Sequence, residues 1–239
     1  MIRRRTRWGC LPVVAVVTAA LASNAYAGAR VDYKQMFTTP LPGTSTGTDT
    51  WLLYKNPNDP TTKPIPVRRE QFTFPDGTTY DDSVVPFCHA SDLELMLLGT
   101  SACPADTWLG GDVGEDTVMA GFDKSEQRLD VNGWNNGPND MIMLGGSHDI
   151  KPWRFVTHVR RGSGQTRTAE IAHSPGGPPD GETALRRIHH VFGARNLGDR
   201  GYMRTPPTCP PSGEWTFKGQ FTFADGVVEA DRYDMPCQR

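Results

Sequence analysis

From Trp51 onward, short runs rich in β-branched and aromatic residues alternate with clusters of Gly, Pro, Asn and Asp. That rhythm predicts strands at Trp51–Lys55, Val67–Phe74, Thr78–Tyr80, Thr117–Phe122, Gln127–Val131, Met141–Leu144, Trp153–Arg161, Thr166–Ala172, Thr183–Phe192, Trp215–Phe223 and Val227–Ala230. The clearest is Trp215-Thr-Phe217-Lys-Gly219-Gln-Phe221-Thr-Phe223, in which every odd position is aromatic or Gly and every even one polar, so one face is buried and the other wet. Thr183–Phe192 also fits a helical stripe through Leu185, Ile188 and Phe192. Many short strands joined by Gly/Pro turns predict an all-β, antiparallel β-sandwich of jelly-roll or Ig-like type.

One short helix is predicted. Ser91 and Glu94 form a capping box ahead of Leu93, Leu95, Leu97 and Leu98, and Gly99 follows as a stop signal. Residues 38–50 are almost entirely Thr, Gly, Pro and Ser, so 28–49 reads as an extended N-terminal arm or linker before a single domain over 50–239. An internal repeat stands out. REQFTFPDGTTYDDSVVPFC (69–88) aligns without gaps on KGQFTFADGVVEADRYDMPC (218–237), with eight identities in twenty positions. Both copies run Phe-Thr-Phe into x-Asp-Gly, which predicts a tight hairpin with Gly77 or Gly226 at positive φ, and both end at a cysteine.

The first 27 residues alter the composition. A basic segment, an apolar run from Leu11 to Ala22 and Ala25-Tyr26-Ala27 before Gly28 read as a secretory signal peptide. The run is shorter than the roughly 20 residues a membrane span requires, and no later stretch is longer, so no transmembrane segment is expected. Cys10 precedes the apolar run and is read as a bystander. Without this segment the chain has 21 basic and 27 acidic groups, net −6. The localisation expected is secreted, extracellular or at the cell envelope. There, the even set Cys88, Cys103, Cys209 and Cys237 implies two disulfides. Three connectivities are open; Cys88–Cys103 with Cys209–Cys237 is preferred because each pair brackets one local unit.

The segments around these cysteines carry a resemblance. Pro86-Phe-Cys88, Cys103-Pro-Ala-Asp-Thr-Trp-Leu-Gly, Thr-Pro-Pro-Thr-Cys209-Pro-Pro-Ser-Gly-Glu-Trp-Thr-Phe and the closing Pro236-Cys237 look like a group of uncharacterised, exported, β-rich proteins of high-GC Gram-positive bacteria. The resemblance spans roughly residues 50–239. It implies a disulfide-stapled β fold and supplies no catalytic residue.

Candidate chemistry is sparse. Residues 151–204 hold ten basic groups against four acids, net +6, which leaves −12 on the rest of the chain after the leader. If Trp153–Arg161 and Thr183–Phe192 are neighbouring strands, Arg154, His158, Arg186 and His190 share a face able to bind phosphate, sulfate or uronate. Trp134, among the amides and acids of Asp130–Asp140, is placed to stack on a sugar. The same loop misses the Ca²⁺-loop spacing, no Cys-x-x-Cys or His-Glu-x-x-His occurs, and neither metal nor cofactor is expected. Ser147-His148-Asp149 is not a triad, because neighbours on a strand point to opposite faces, and no Gly-x-Ser-x-Gly elbow is present. Asp81-Asp82 and Glu115-Asp116 are carboxylate pairs whose use depends on geometry. The negative total and the lack of a recognition motif argue against a nucleic-acid partner. The reading is a non-catalytic extracellular or cell-envelope module binding glycan or polyanion; the alternative is a secreted hydrolase using carboxylate or histidine chemistry.

Overall fold

The computed structural model describes residues 29–238 apart from 113–116, 123–124, 149–152 and 177–179. The leader sequence, Glu115, Asp116, Asp149 and Lys151 therefore lie outside the described residues. In chain order the elements are β1 (Val31–Phe37), β2 (Thr48–Tyr54), β3 (Val67–Thr73), β4 (Thr79–Tyr80), α1 (Asp92–Leu98), β5 (Trp108–Asp112), β6 (Val118–Phe122), β7 (Ser125–Gly137) and β8 (Asp140–Ser147). There follow β9 (Arg154–Arg161), β10 (Thr166–Glu170), β11 (Ala184–Phe192), β12 (Asn196–Leu197), β13 (Arg200–Gly201), β14 (Met203–Arg204), β15 (Glu214–Phe223) and β16 (Val228–Pro236).

The protein is an all-β antiparallel sandwich with one short α-helix and two disulfides, and its layers belong to one continuous sheet. Twelve strands run in the order β1-β2-β11-β5-β7-β8-β9-β10-β3-β15-β16, with β6 beside β11 and β7. Strands β5 and β6 lie end to end between β11 and β7, on either side of residues 113–116. The sheet curls until its edge strands β1 and β16 lie against each other, which makes a flattened barrel. Jelly-roll and Ig-like sandwiches use two sheets instead, so the continuity of this one is a departure from the expected topology.

Alternation explains the core. Tyr33 and Phe37 of β1 and Tyr54 of β2 point inward and meet rings from β3 and β15: Phe37 lies 4.8 Å from Phe217 and 5.3 Å from Trp215, and Tyr33 lies 5.8 Å from Phe221. Such edge-on pairs add about 0.5–1.5 kcal/mol each beyond the area they bury. Residues 31–37 are therefore a strand of the sandwich and not part of an arm. Thr183–Phe192 resolves as strand β11, because its two neighbours supply a backbone ladder on each side.

The two repeat copies lie side by side, antiparallel, with Phe72 opposite Gly219 and Glu70 opposite Phe221. Only the second forms the expected hairpin, β15–β16. In the first copy the chain turns at Gly77 and leaves the sheet, and the short β4 pairs with β14.

Helix α1 has its capping box, Ser91 N–H donating to Glu94 Oε2 at 2.8 Å and Glu94 N–H to Ser91 Oγ at 3.3 Å. Gly99 ends it at φ +68°. The disulfides join Cys88 to Cys103 and Cys209 to Cys237, with Cα separations of 5.2 and 5.6 Å. Closing loops of 15 and 28 residues contributes about 3 and about 3.6 kcal/mol in the chain-entropy view. These bridges fit an oxidising compartment. Among the described residues no helix is long and apolar enough to cross a membrane.

Candidate functional site

The five residues singled out by sequence do not converge. Strands β9 and β11 are separated by β5, β7 and β8, so they are not neighbours. On β9, Arg154 and His158 face outward beneath α1. Arg154 Nη1 donates to the carbonyls of Met96 and Leu97 at 2.9 and 3.1 Å, closing the helix C-terminus, where a cation complements the helix dipole. His158 bridges Asp140 of β8 (2.8 Å) and Asp92 in the first turn of α1 (3.0 Å). Burial alone would lower its pKa, but the hydrogen bonds and charges of the two aspartates raise it above 6.5.

A bulge between Leu185 and Arg187 breaks the alternation of β11, so Arg186 and His190 lie on opposite faces. Arg186 lies outside, paired with Glu126 at 2.9 Å and donating to the Thr62 carbonyl at 2.9 Å. His190 points into the barrel. Trp134 is 2% exposed, packed with Ile142, Leu144 and the Cys88–Cys103 bridge under α1. Its supposed loop is the continuous β7–β8 hairpin, which turns only at Pro138 and Asn139, with Asn139 at φ +65°. The acids Asp81 and Asp82 are engaged by Arg200 and Arg161. His148 lies 3.2 Å from Asp130.

The feature with converging chemistry lies inside the barrel. A cavity of about 90 Å³ sits between the layers, walled by apolar side chains that include Leu52, Phe72, Val131, Met143, Phe155 and Ile188. Into it point Gln35, Thr50, Glu70, Thr157, Arg167 and His190, all at least nine-tenths buried. The Tyr54 hydroxyl donates to Glu70 Oε1 at 2.6 Å, and Gln35 donates to Thr50 Oγ1 at 3.2 Å. Arg167 is held over the rings of Tyr80 (4.3 Å) and Phe74 (5.3 Å). Burial pushes the Glu70 carboxyl above its ordinary pKa, more than the Tyr54 hydrogen bond and the nearby His190 lower it. Tyr54 is itself raised, first by burial and then by Glu70.

This row is not fully satisfied. His190 Nε2 lies 3.2 Å from Asp112 Oδ1, an ion-pair distance, yet among the described residues neither atom has a partner at hydrogen-bonding geometry. The buried Thr157 Oγ1 also lacks one. Buried polar groups normally find partners, because each one left alone costs about 1–3 kcal/mol. Chemically, the row can accept from a donor at Glu70 and pair with a polar head at His190 or Thr157. Among the described residues no group of three His, Cys, Asp or Glu is arranged to hold a metal ion.

The sequence reading missed Glu70, although a signal was there: Glu70 shares strand parity with Phe72 and Phe74, which places a carboxylate on the apolar face. Asp112 gave no such signal, since Gly110-Gly111-Asp112 has no alternation to read. No known protein family matches the chain, nor does any curated protein or solved structure.

Proposed function

We propose that this is an exported, non-catalytic binding protein that holds a small, mostly apolar molecule with a hydrogen-bonding head inside its barrel. The observation that carries this reading is the interior cavity with apolar walls and buried polar atoms at His190 and Thr157 that have no partner among the described residues. Small-molecule sites have this make-up, an apolar surround with a few placed polar groups. The volume is smaller than the roughly 150 Å³ of a cavity that takes benzene freely, so a single-ring ligand fits only as Met141 and Met143 in the wall give way to it. The leader and the two disulfides support export. The anion-binding face expected at Arg154, His158, Arg186 and His190 is not formed, since these four side chains are dispersed.

Calorimetry with phenol and toluene tests the proposal. Phenol is expected to bind in the millimolar range, about −4 kcal/mol, and more tightly than toluene. Replacing Glu70 with Leu should abolish that preference, and Val131→Phe, by filling the cavity, should abolish both. Glu70→Gln should raise the melting temperature at pH 7, because it removes a buried carboxyl that resists ionisation. Failure of both probes to bind, or equal binding by the folded Val131→Phe protein, refutes the interior site.

The approach of His190 to Asp112 and Glu70 favours a second reading, a secreted hydrolase. Against it, about 90 Å³ leaves no room for a polymer and its leaving group. Turnover of a chromogenic ester or glycoside, lost in His190→Gln, would decide for the enzyme.

A further inference from the structure

The outward face of β1-β2-β11 has a different composition from the rest of the sheet. Register places Lys34, Trp51 and His189 in one cross-strand row, with Asp32, Leu53 and Arg187 in the next. Trp51 is 39% exposed at the centre of this grid. Its ring stacks on His189 at 3.5 Å and 22°, and Asp49 holds His189 through a 3.1 Å hydrogen bond. The indole is therefore fixed in orientation from below. A groove of about 280 Å³ runs over it, lined by Asp32, Lys34, Leu53 and Arg187.

The charges on this face are unequal. Asp32 is already matched by Lys55, and Asp49 is bound to His189. Lys34 touches the Tyr233 ring at 5.7 Å and has no carboxylate partner among the described residues. Arg187 is exposed and likewise has none. Two uncompensated cations thus flank an oriented aromatic plane. Cross-strand neighbours lie about 5 Å apart and diagonal ones about 7–8 Å, so both cations fall within reach of a substituent on a ring seated over Trp51.

We propose that this face is a subsite for an acidic sugar, a hexuronate unit of a polysaccharide, separate from the interior cavity. The apolar face of the pyranose stacks on Trp51, and the carboxylate is held by Lys34 and Arg187. Stacking uses the C–H face that every pyranose offers, and the two cations select the acid from neutral sugars. A planar guanidinium suits a carboxylate in particular.

The test is titration of the whole protein with trigalacturonate and with maltotriose, followed by calorimetry and by the Trp51 indole N–H resonance. Trigalacturonate should bind, shift that resonance, and weaken as salt is raised. Maltotriose should bind at least several-fold more weakly. Trp51→Ala should cost roughly tenfold in affinity, whereas Trp51→Tyr, which keeps a stacking ring, should retain most of it. Lys34→Gln with Arg187→Gln should remove both the salt dependence and the preference for the acid. These are surface changes, and unchanged melting temperatures would establish that the variants fold. No binding, equal binding by Trp51→Ala, or equal affinity for the two trisaccharides overturns the proposal. Val131→Phe, which fills the interior, should leave trigalacturonate binding intact, so the two sites stand or fall separately.

Discussion

Gly77 and Gly226 occupy equivalent places in the repeat and both adopt positive φ, +88° and +82°. A side chain at either position incurs the left-handed strain of about 1–2 kcal/mol. They differ in surroundings: a Cβ on Gly226 meets nothing within 4 Å, whereas on Gly77 it lies 3.3 Å from Pro207 Cδ and 3.4 Å from Pro206 Cβ. Gly77→Ala should therefore destabilise more than Gly226→Ala in urea denaturation, and Gly226→Val should cost more than Asp225→Asn. These turns were legible because positive φ and Asp-Gly chemistry are local. Trp134 was not, since what covers an indole depends on where a disulfide and a helix 40 residues away come to rest. Glu70 falls between the two: its inward direction follows from strand parity, but its meeting with Tyr54, Arg167 and His190 around one cavity does not.

Helix α1 is seven residues long, too short to persist alone, so the sheet beneath must hold it. Only Leu95 of its leucines is buried; the anchors are the Cys88–Cys103 bridge, Arg154 at its C-terminus and His158 at its first turn. Because the folded pKa of His158 is raised, its contribution is full below the ordinary value of 6.5 and is lost as pH rises through the folded value. The protein should melt at a lower temperature at pH 8 than at pH 6, and the part due to this contact should vanish in His158→Gln. The loss should be on the order of 1 kcal/mol or less, since Asp92 is largely exposed, or about 2–4 °C in a domain of this size. At this scale the capping box and most strand positions could be read from sequence. The strand VDYKQMF could have been, because it alternates like Trp215–Phe223, but the Thr/Gly/Pro stretch after it made the whole region look like an arm. The bulge that separates Arg186 from His190 could not be read, as it reflects the pairing of β11 with β6 and leaves no residue signature.

The arrangement of the whole molecule rests on a seam that no local pattern announces. Strands β1 and β16 lie against each other without a backbone ladder among the described residues, so side chains hold the closure. Arg30 bears most of it: its guanidinium makes two hydrogen bonds to Asp225 at 2.7 and 2.9 Å, its backbone N–H donates to Glu229 at 2.9 Å, and it sits 5.3 Å from the centre of the Phe223 ring. Lys34 on Tyr233 is a weaker contact further along. Since the Arg30 side chain is largely buried and its Nη1 donates to both oxygens of Asp225, Arg30→Ala should cost about 1–2 kcal/mol, more than Lys34→Ala. A double-mutant cycle with Asp225→Ala should show coupling, and amide exchange should rise in β1 and β16 ahead of β7 and β8, which are paired on both sides. If Arg30→Ala accelerated exchange evenly through the sheet, closure would be a consequence of the aromatic core between Phe37, Trp215 and Phe217. The barrel interior would then be sealed by packing alone, and the charged seam would be incidental to the shape of the cavity.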